Sequence, residues 1–468
     1  MARYTVDITA FGAAANAGDL QTPAIQAAID DCFTRGGGTV TVPAGTFRTG
    51  GIRLRSHVTL HLLTGAVLRG SRDPEDYFGY RTDAVEPLGA CDITDAPYIH
   101  LSTIRGEAAY DAHDPRYDFK RIPGSRWNNA LIRAIHAEDI AVIGDENAVI
   151  DGADCYDAIG EEHYRGPHAI CFFDCENIRL SGYTLKNASN WAHNLLFCRN
   201  ILCEDIEVLA GHDGFDAATC ENLVIRNSRF MTGDDCIAGF GNTNVTVDGC
   251  EINSACSAMR FAGTNVTVKN CRIYGPGKYV FRGSLTKEEQ IAGKTALADS
   301  SDTKHRFNML SVFTYYADYS MPIPDQPGNI IIENCTVENA DRFLHYNYSG
   351  NETWQRHRPL ESITFRGVTA KGLRMPITAY GDKDVPVTLA LEDVTISDSK
   401  EYAYPALIHA CNFRRLTLRG VTVADTPLEV LIKTWSDGGK VEFENVACPL
   451  PEDKLVTRTD EKFFCKPI

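Results

Sequence analysis

The stretch ENIRLSG (176–182) returns as RNILCED (199–205), ENLVIRN (221–227), TNVTVDG (243–249) and TNVTVKN (264–270). The shared asparagines, Asn177, Asn200, Asn222, Asn244 and Asn265, stand 23, 22, 22 and 21 residues apart. This step is too short for a propeller blade, and the β-branched residues that follow each asparagine favour strand over helix. A leucine-rich repeat shares the period, but its leucine pattern is absent. What remains is one coil of a right-handed parallel β-helix, so the chain is expected to be an all-β, single-stranded solenoid.

In such a solenoid coils stack at a strand spacing of ~4.8 Å, and equivalent residues form columns. An asparagine column lets side-chain amides bond one another and satisfy turn backbone that would otherwise be buried unpaired. Six residues after the asparagine a second column reads Cys250, Cys271 and, after Asn329, Cys335. Related phrases at Asn329, Ser362 and Arg415 extend the stack, which is expected from about residue 40 to 447. Upstream, TPAIQAAIDDCFTRGGG predicts a helix over 23–35 with Thr22 as cap, Pro23 in the first turn and Gly36 at the stop. It would cover the open edge of the first coil. Two segments, 73–126 and 282–327, break the period and are rich in charge, Tyr, Gly and Pro. They read as walls or lids inserted into one domain spanning 1–468, with the cap at about 1–39.

Composition narrows the partners. The formal net charge of −16 argues against nucleic acid and anionic membrane. The sequence starts directly in a strand pattern without a signal-like apolar region, and its 16 cysteines sit mostly in apolar runs without a paired zinc spacing. Buried reduced thiols and a cytoplasmic location are expected, or a secreted or periplasmic one if a leader is missing from the sequence. No metal and no cofactor is expected. The Asn244-Val-Thr and Asn265-Val-Thr triplets read as core structure.

Counting from the asparagines maps a site. Thirteen residues on stand Asn190, Asp213, Asp235, Ser257 and Lys278; twelve on, Ser189, His212, Asp234, Cys256 and Gly277; sixteen on, His193, Asp216, Ala238, Arg260 and Phe281. Fifteen on lies the inward column Ala192, Phe215, Ile237, Met259 and Val280. Strict alternation would turn Asp213 and Asp235 inward as well, so a bend before the strand is expected. Four carboxylates, Asp213, Asp216, Asp234 and Asp235, thus gather within two coils beside Arg260 and His193. Crowded carboxylates cannot all ionise, which leaves a protonated acid beside a charged base. Glycoside cleavage needs that pairing, and the inverting form needs room for a water. An Asp-Asp turn or a calcium cage are the competing readings. His168, Trp191, Tyr315 and Tyr316 could face either the cleft or the packing around it.

The phrases GHDGFD (211–216), TGDDCIA (232–238), RGPHAICFFDCENIRLSGYTLKNASNWAHN (165–194), DITAFGA (7–13) and GGGTVTVPAGTF (36–47) resemble glycoside hydrolase family 28, the polygalacturonases and their relatives. The resemblance runs from Asp7 to about Gly283. It implies that Asp234 protonates the glycosidic oxygen while Asp213 and Asp235 position and deprotonate water, with inversion at the anomeric carbon. The family's Gly-His-Gly histidine falls at Ser257. Its Arg-x-Lys pair falls in KYVFRGS (278–284), with Phe281 and Gly283 in place of both charges. Arg260, Lys278 and Arg282 are the nearby cations, and with His193, His212, Asp216 and Ser257 they complete the expected substrate-binding set. The expected activity is inverting, exo-acting hydrolysis of α-linked galacturonide or related pectic oligosaccharides. A calcium-dependent lyase using Arg260, Lys278 or Arg282 as base, and a non-catalytic carbohydrate-binding solenoid, are the alternatives.

Overall fold

The structure is a computed structural model that describes residues 4–80, 128–156, 165–286, 288–289, 292, 301, 304–317, 325–348, 358–435 and 438–459. Three short strands make each coil of a parallel β-helix. One coil is His193–Leu196, Arg199–Glu204 and Glu207–Ala210; it pairs in parallel with Phe215–Ala218, Glu221–Arg226 and Arg229–Thr232 of the next. Alternation along each strand sends Leu195, Ile201, Cys203 and Val208 into one continuous core. The strands of each coil are too short to bury an apolar face alone, and stacking is what completes the core.

The asparagine column is real, its amides bond one another as expected, and the backbone conformation adds a second reason for asparagine there. Asn177, Asn200, Asn222, Asn244, Asn265 and Asn329 all have positive φ, between 51° and 58°. Asparagine tolerates that left-handed conformation better than most residues, which places it at the tight bend between strands. The side chains are exposed and form a ladder of Nδ2–H···Oδ1 bonds at 3.0, 3.0, 3.1, 3.2 and 2.8 Å. Asn244 and Asn265 therefore lie on the surface and outside the core. Fourteen described cysteines are free thiols, twelve of them buried, and Cys250, Cys271 and Cys335 stack as expected.

The stack begins at Thr5–Asp7, paired with Gly38–Val42, and its last strand is Val456–Thr459, paired with Ile432–Trp435. The helix spans Thr22–Thr34 and packs Ile25, Ala28, Ile29 and Cys32 over the first coil. Thr22 does not cap it; its Oγ1 accepts the Gly50 amide at 2.7 Å and ties the helix to the coil. Within 282–327 the structure places a strand of the stack, Met309–Tyr315. Most of 73–126 lies outside the described residues. No helix among the described residues is long and apolar enough to cross a membrane.

Candidate active site

Residues 211–214 and 233–236 form bends that lead into the strands Phe215–Ala218 and Ile237–Asp248. The bend lets Asp213 escape the inward parity of Phe215, and Asp235 that of Ile237. Gly233 makes the second bend possible, because a Cβ there would collide with the carbonyl oxygens of Gly211 and Val280. Each carboxylate then receives a backbone amide from the coil below. Asp213 Oδ1 accepts from the Asp235 N–H at 3.1 Å, and Asp235 Oδ1 accepts from the Ser257 N–H at 3.0 Å. Asp235 Oδ2 accepts from Arg260 Nε at 2.6 Å. The Arg260 guanidinium lies 5.6 Å from the centre of the Phe240 ring and 4.9 Å from that of Tyr316. Tyr315, by contrast, is buried and bonds the Arg358 carbonyl.

Asp213, Asp216 and Asp235 are buried, and Asp234 is half-buried. Burial, reinforced by Asp216, Asp234 and Asp235, drives the Asp213 carboxyl well above its ordinary range. Asp216 is pushed up to about 8, chiefly by burial, against the pull of Arg260. Asp234 is raised to about 6, first by burial and then by the Asp235 charge, with Arg165 and Arg260 opposing. The arrangement therefore sets a carboxyl with a raised affinity for its proton, Asp234, beside Asp235, whose two oxygens are bound by a cation and an amide.

Asp234, Asp235 and Cys256 could bring ligand atoms within 4.8 Å of one another around a metal ion. Burial, followed by Asp235 and Asp234, keeps the Cys256 thiol well above its ordinary pKa. A protonated thiol is a poor ligand for a hard cation such as calcium, and Arg260 already occupies Asp235.

Not every expected residue joins this group. His193 is turned inward. Its ring stacks on Phe215 at 5.2 Å, Nδ1 bonds the Gly214 carbonyl at 2.9 Å and Nε2 meets the Tyr183 hydroxyl at 2.9 Å. Burial lowers its pKa to about 4, so it is a neutral core residue. The physical reason is a turn one residue longer than in the next coil: Lys186 pairs with Leu209, yet Asn194 pairs with Asp216. Asn194 thus takes the outward place expected for His193, and Trp191 the place expected for Asn190. Asn194 Nδ2 lies 3.2 Å from His168 Nε2, and His168 packs beside Trp191 at 5.4 Å.

Lys278 is also displaced. After Arg272–Tyr274 the chain leaves the stack, and the strand that pairs beside Ser257 and Arg260 is Met309–Tyr315, with Ser311 and Thr314 opposite them. Lys278 is exposed, its amide donating to Asn253 Oδ1 at 2.7 Å. Phe281 lies off the column for the same reason, against Arg306. The side chain of Arg282 lies outside what the structure describes. His212 is buried in the turn before Asp213, and Ser257 is buried with its Oγ 3.3 Å from Thr314 Oγ1. Arg165 and Cys256, which act on Asp234, and Phe240 beside Arg260 were missed, whereas Tyr316, left open between cleft and packing, lies against Arg260. Arg165 comes from outside the repeat, where no period points to it.

A parallel β-helix with a carboxylate cluster on the outward face of one strand column defines a class of acidic-cleft solenoids. The profile of Glycosyl hydrolases family 28 matches residues 104–278, and the chain resembles that family. It is 27% identical over 247 residues to a probable polygalacturonase of Vitis vinifera and 29% identical over 266 residues to an exo-poly-alpha-D-galacturonosidase of Dickeya chrysanthemi. Each match takes in 50% of this chain and only 44% and 42% of the respective relative. The fold is similar to that of a hyperthermoactive exopolygalacturonase from Thermotoga maritima, with a TM-score of 0.57 and 16% identity over 95% of this chain and 91% of the other.

Proposed function

We propose that the protein is a glycoside hydrolase that cleaves α-linked galacturonide, or a closely related pectic linkage, with inversion and from a chain end. The observation that carries this reading is the raised Asp234 carboxyl, at about 6, next to an Asp235 carboxylate anchored by Arg260. In a mildly acidic medium Asp234 keeps its proton and can deliver it to the leaving oxygen as the bond breaks. Asp235, aimed by Arg260 and the Ser257 amide, would remove the proton of the attacking water, and Asp213, one strand spacing away and held toward its neutral form by burial, would position that water. Attack from the face opposite the leaving group inverts the anomeric carbon. The family match and the names of the two relatives, both galacturonan-cleaving by description, support the substrate class. Arg260 stands where it could also meet a uronate carboxylate, the role the family gives to an Arg-x-Lys pair.

The test is release of reducing ends from galacturonan, rhamnogalacturonan and xylogalacturonan oligosaccharides by wild type and Asp234→Asn. Loss of the general acid should lower kcat by about 10²–10⁴. Nuclear magnetic resonance of the first product should show the inverted anomer. An Asp234→Asn enzyme at wild-type rate would refute the assignment, and an unsaturated, ultraviolet-absorbing product would replace hydrolysis with elimination.

A further inference from the structure

The outward column that carries Asp216 and Arg260 continues well past the carboxylates. Arg260 pairs with Thr314, Thr314 with His345, His345 with Thr378, Thr378 with His409, and His409 with Lys433. At a strand spacing of ~4.8 Å, His345 stands about 10 Å and Lys433 about 24 Å along the stack from Arg260. The chemistry of this far stretch is basic and aromatic, in a chain whose net charge is −16.

Its hydrogen bonding leaves ring nitrogens over. Arg342 Nη1 lies 2.6 Å from His345 Nδ1, and since a guanidinium only donates, that ring nitrogen accepts and the proton sits on Nε2. Thr378 Oγ1 is 3.1 Å from the same Nδ1. His345 Nε2 is buried and has no partner, and neither has His409 Nε2. Both rings are neutral: burial, then Arg342, lowers His345 to about 3, while burial, then Lys433 and Arg342, lowers His409 to about 4. Arg342 itself is half-buried; its other bond is to Met375 Sδ at 2.8 Å, and among the described residues no carboxylate lies within ion-pair distance. The nearest acids are engaged elsewhere, Asp341 with Asn308 and Arg374, and Glu401 with Arg374. Beside them Lys433 lies 5.3 Å from the centre of the Trp435 ring, with His409 and Tyr380 edge-on to that ring at 5.8 and 6.1 Å.

A buried donor without an acceptor costs about 1–3 kcal/mol, and a half-buried guanidinium without a counter-anion is disfavoured as well. A carboxylate beside the half-buried Arg342 supplies the missing counter-anion. A flat aromatic ring next to it matches the apolar face of a sugar ring. We propose that Arg342, His345, His409, Lys433 and Trp435 form a distal site that holds a carboxylate-bearing sugar of the same chain whose scissile bond lies at Asp234. This rests on the reading of the substrate as an acidic polysaccharide. Only a substrate several residues long reaches both places, so the site makes the protein favour long, charged chains over short ones.

The experiment compares tri- and octagalacturonate on the full chain. Affinity is measured with Asp234→Asn protein by calorimetry, and hydrolysis with otherwise wild-type protein. Arg342→Gln and, separately, Lys433→Gln should each weaken octamer binding about tenfold and narrow the octamer-to-trimer affinity ratio. Full methyl esterification of the octamer should weaken its binding to the unmodified site to a similar degree. Melting curves identify a variant that fails to fold, and the two substitutions sit on different strands, so one remains informative. An unchanged octamer-to-trimer ratio in both folded variants overturns the distal site while leaving the hydrolase reading intact. Octamer that binds through Arg342 without being cleaved overturns the hydrolase reading and leaves the site standing. Galacturonates that neither bind nor react overturn both.

Discussion

Replacing Asp216 by asparagine should stabilise the protein, and by an amount that grows with pH. Asp216 is 4% exposed, its Oδ2 lacks a partner, and its carboxyl is pushed from 3.8 up to about 8. A raised acid binds its proton more tightly in the folded chain than in the unfolded one. The folded state therefore loses stability as pH climbs above 3.8, and the loss levels off only above about 8. At ~1.4 kcal/mol per pH unit, the accumulated cost at pH 7.5 is about 5 kcal/mol, and near pH 4 it is close to zero. The asparagine amide has the same shape and no charge, so Asp216→Asn escapes this cost. Guanidinium unfolding of wild type and variant at pH 4 and pH 7.5 measures it. The variant should gain little at pH 4 and several kcal/mol at pH 7.5. An equal gain at both values, or a larger one at pH 4, would mean that Asp216 is not an acid held neutral by burial.

Three further outcomes follow from the geometry. Hydrolysis should fall about tenfold per pH unit above the Asp234 value of about 6, because the acid must be protonated, and Arg260→Gln should move that limb upward since Arg260 holds the Asp234 carboxyl down; a pH–rate profile of each enzyme decides. Asn222→Ala should cost about 2–3 kcal/mol from the left-handed backbone and two lost ladder bonds, and Asn222→Gly should recover about 1 kcal/mol, as read by thermal unfolding. His193→Phe should cost about 2–4 kcal/mol, since the Tyr183 hydroxyl and the Gly214 carbonyl lose their partner, while the substrate KM stays at its wild-type value; a raised KM would return His193 to the cleft.

A period of 21 to 23 residues and β-branched runs behind each asparagine were enough to read the solenoid, because strand stacking repeats the same local chemistry in every coil. The same counting brought Asp213 and Asp235 together across one coil, since both follow their asparagine by thirteen residues and both coils have equal length. Register decided the rest. One extra residue between Lys186 and Asn194 reverses the side on which His193 lies, as strand parity is two and a single-residue slip exchanges inside for outside. A departure of the chain after Tyr274 removes Lys278 and Phe281 from the columns and brings in Ser311 and Thr314, which no local motif announces. Arg165 and the Arg342–His345–His409–Lys433 line depend on residues far apart in sequence that stacking sets side by side. The repeat thus determined the fold and the carboxylate pair by itself, whereas the inward or outward sense of each flanking side chain, and the charge each one feels through burial, came only with the tertiary structure.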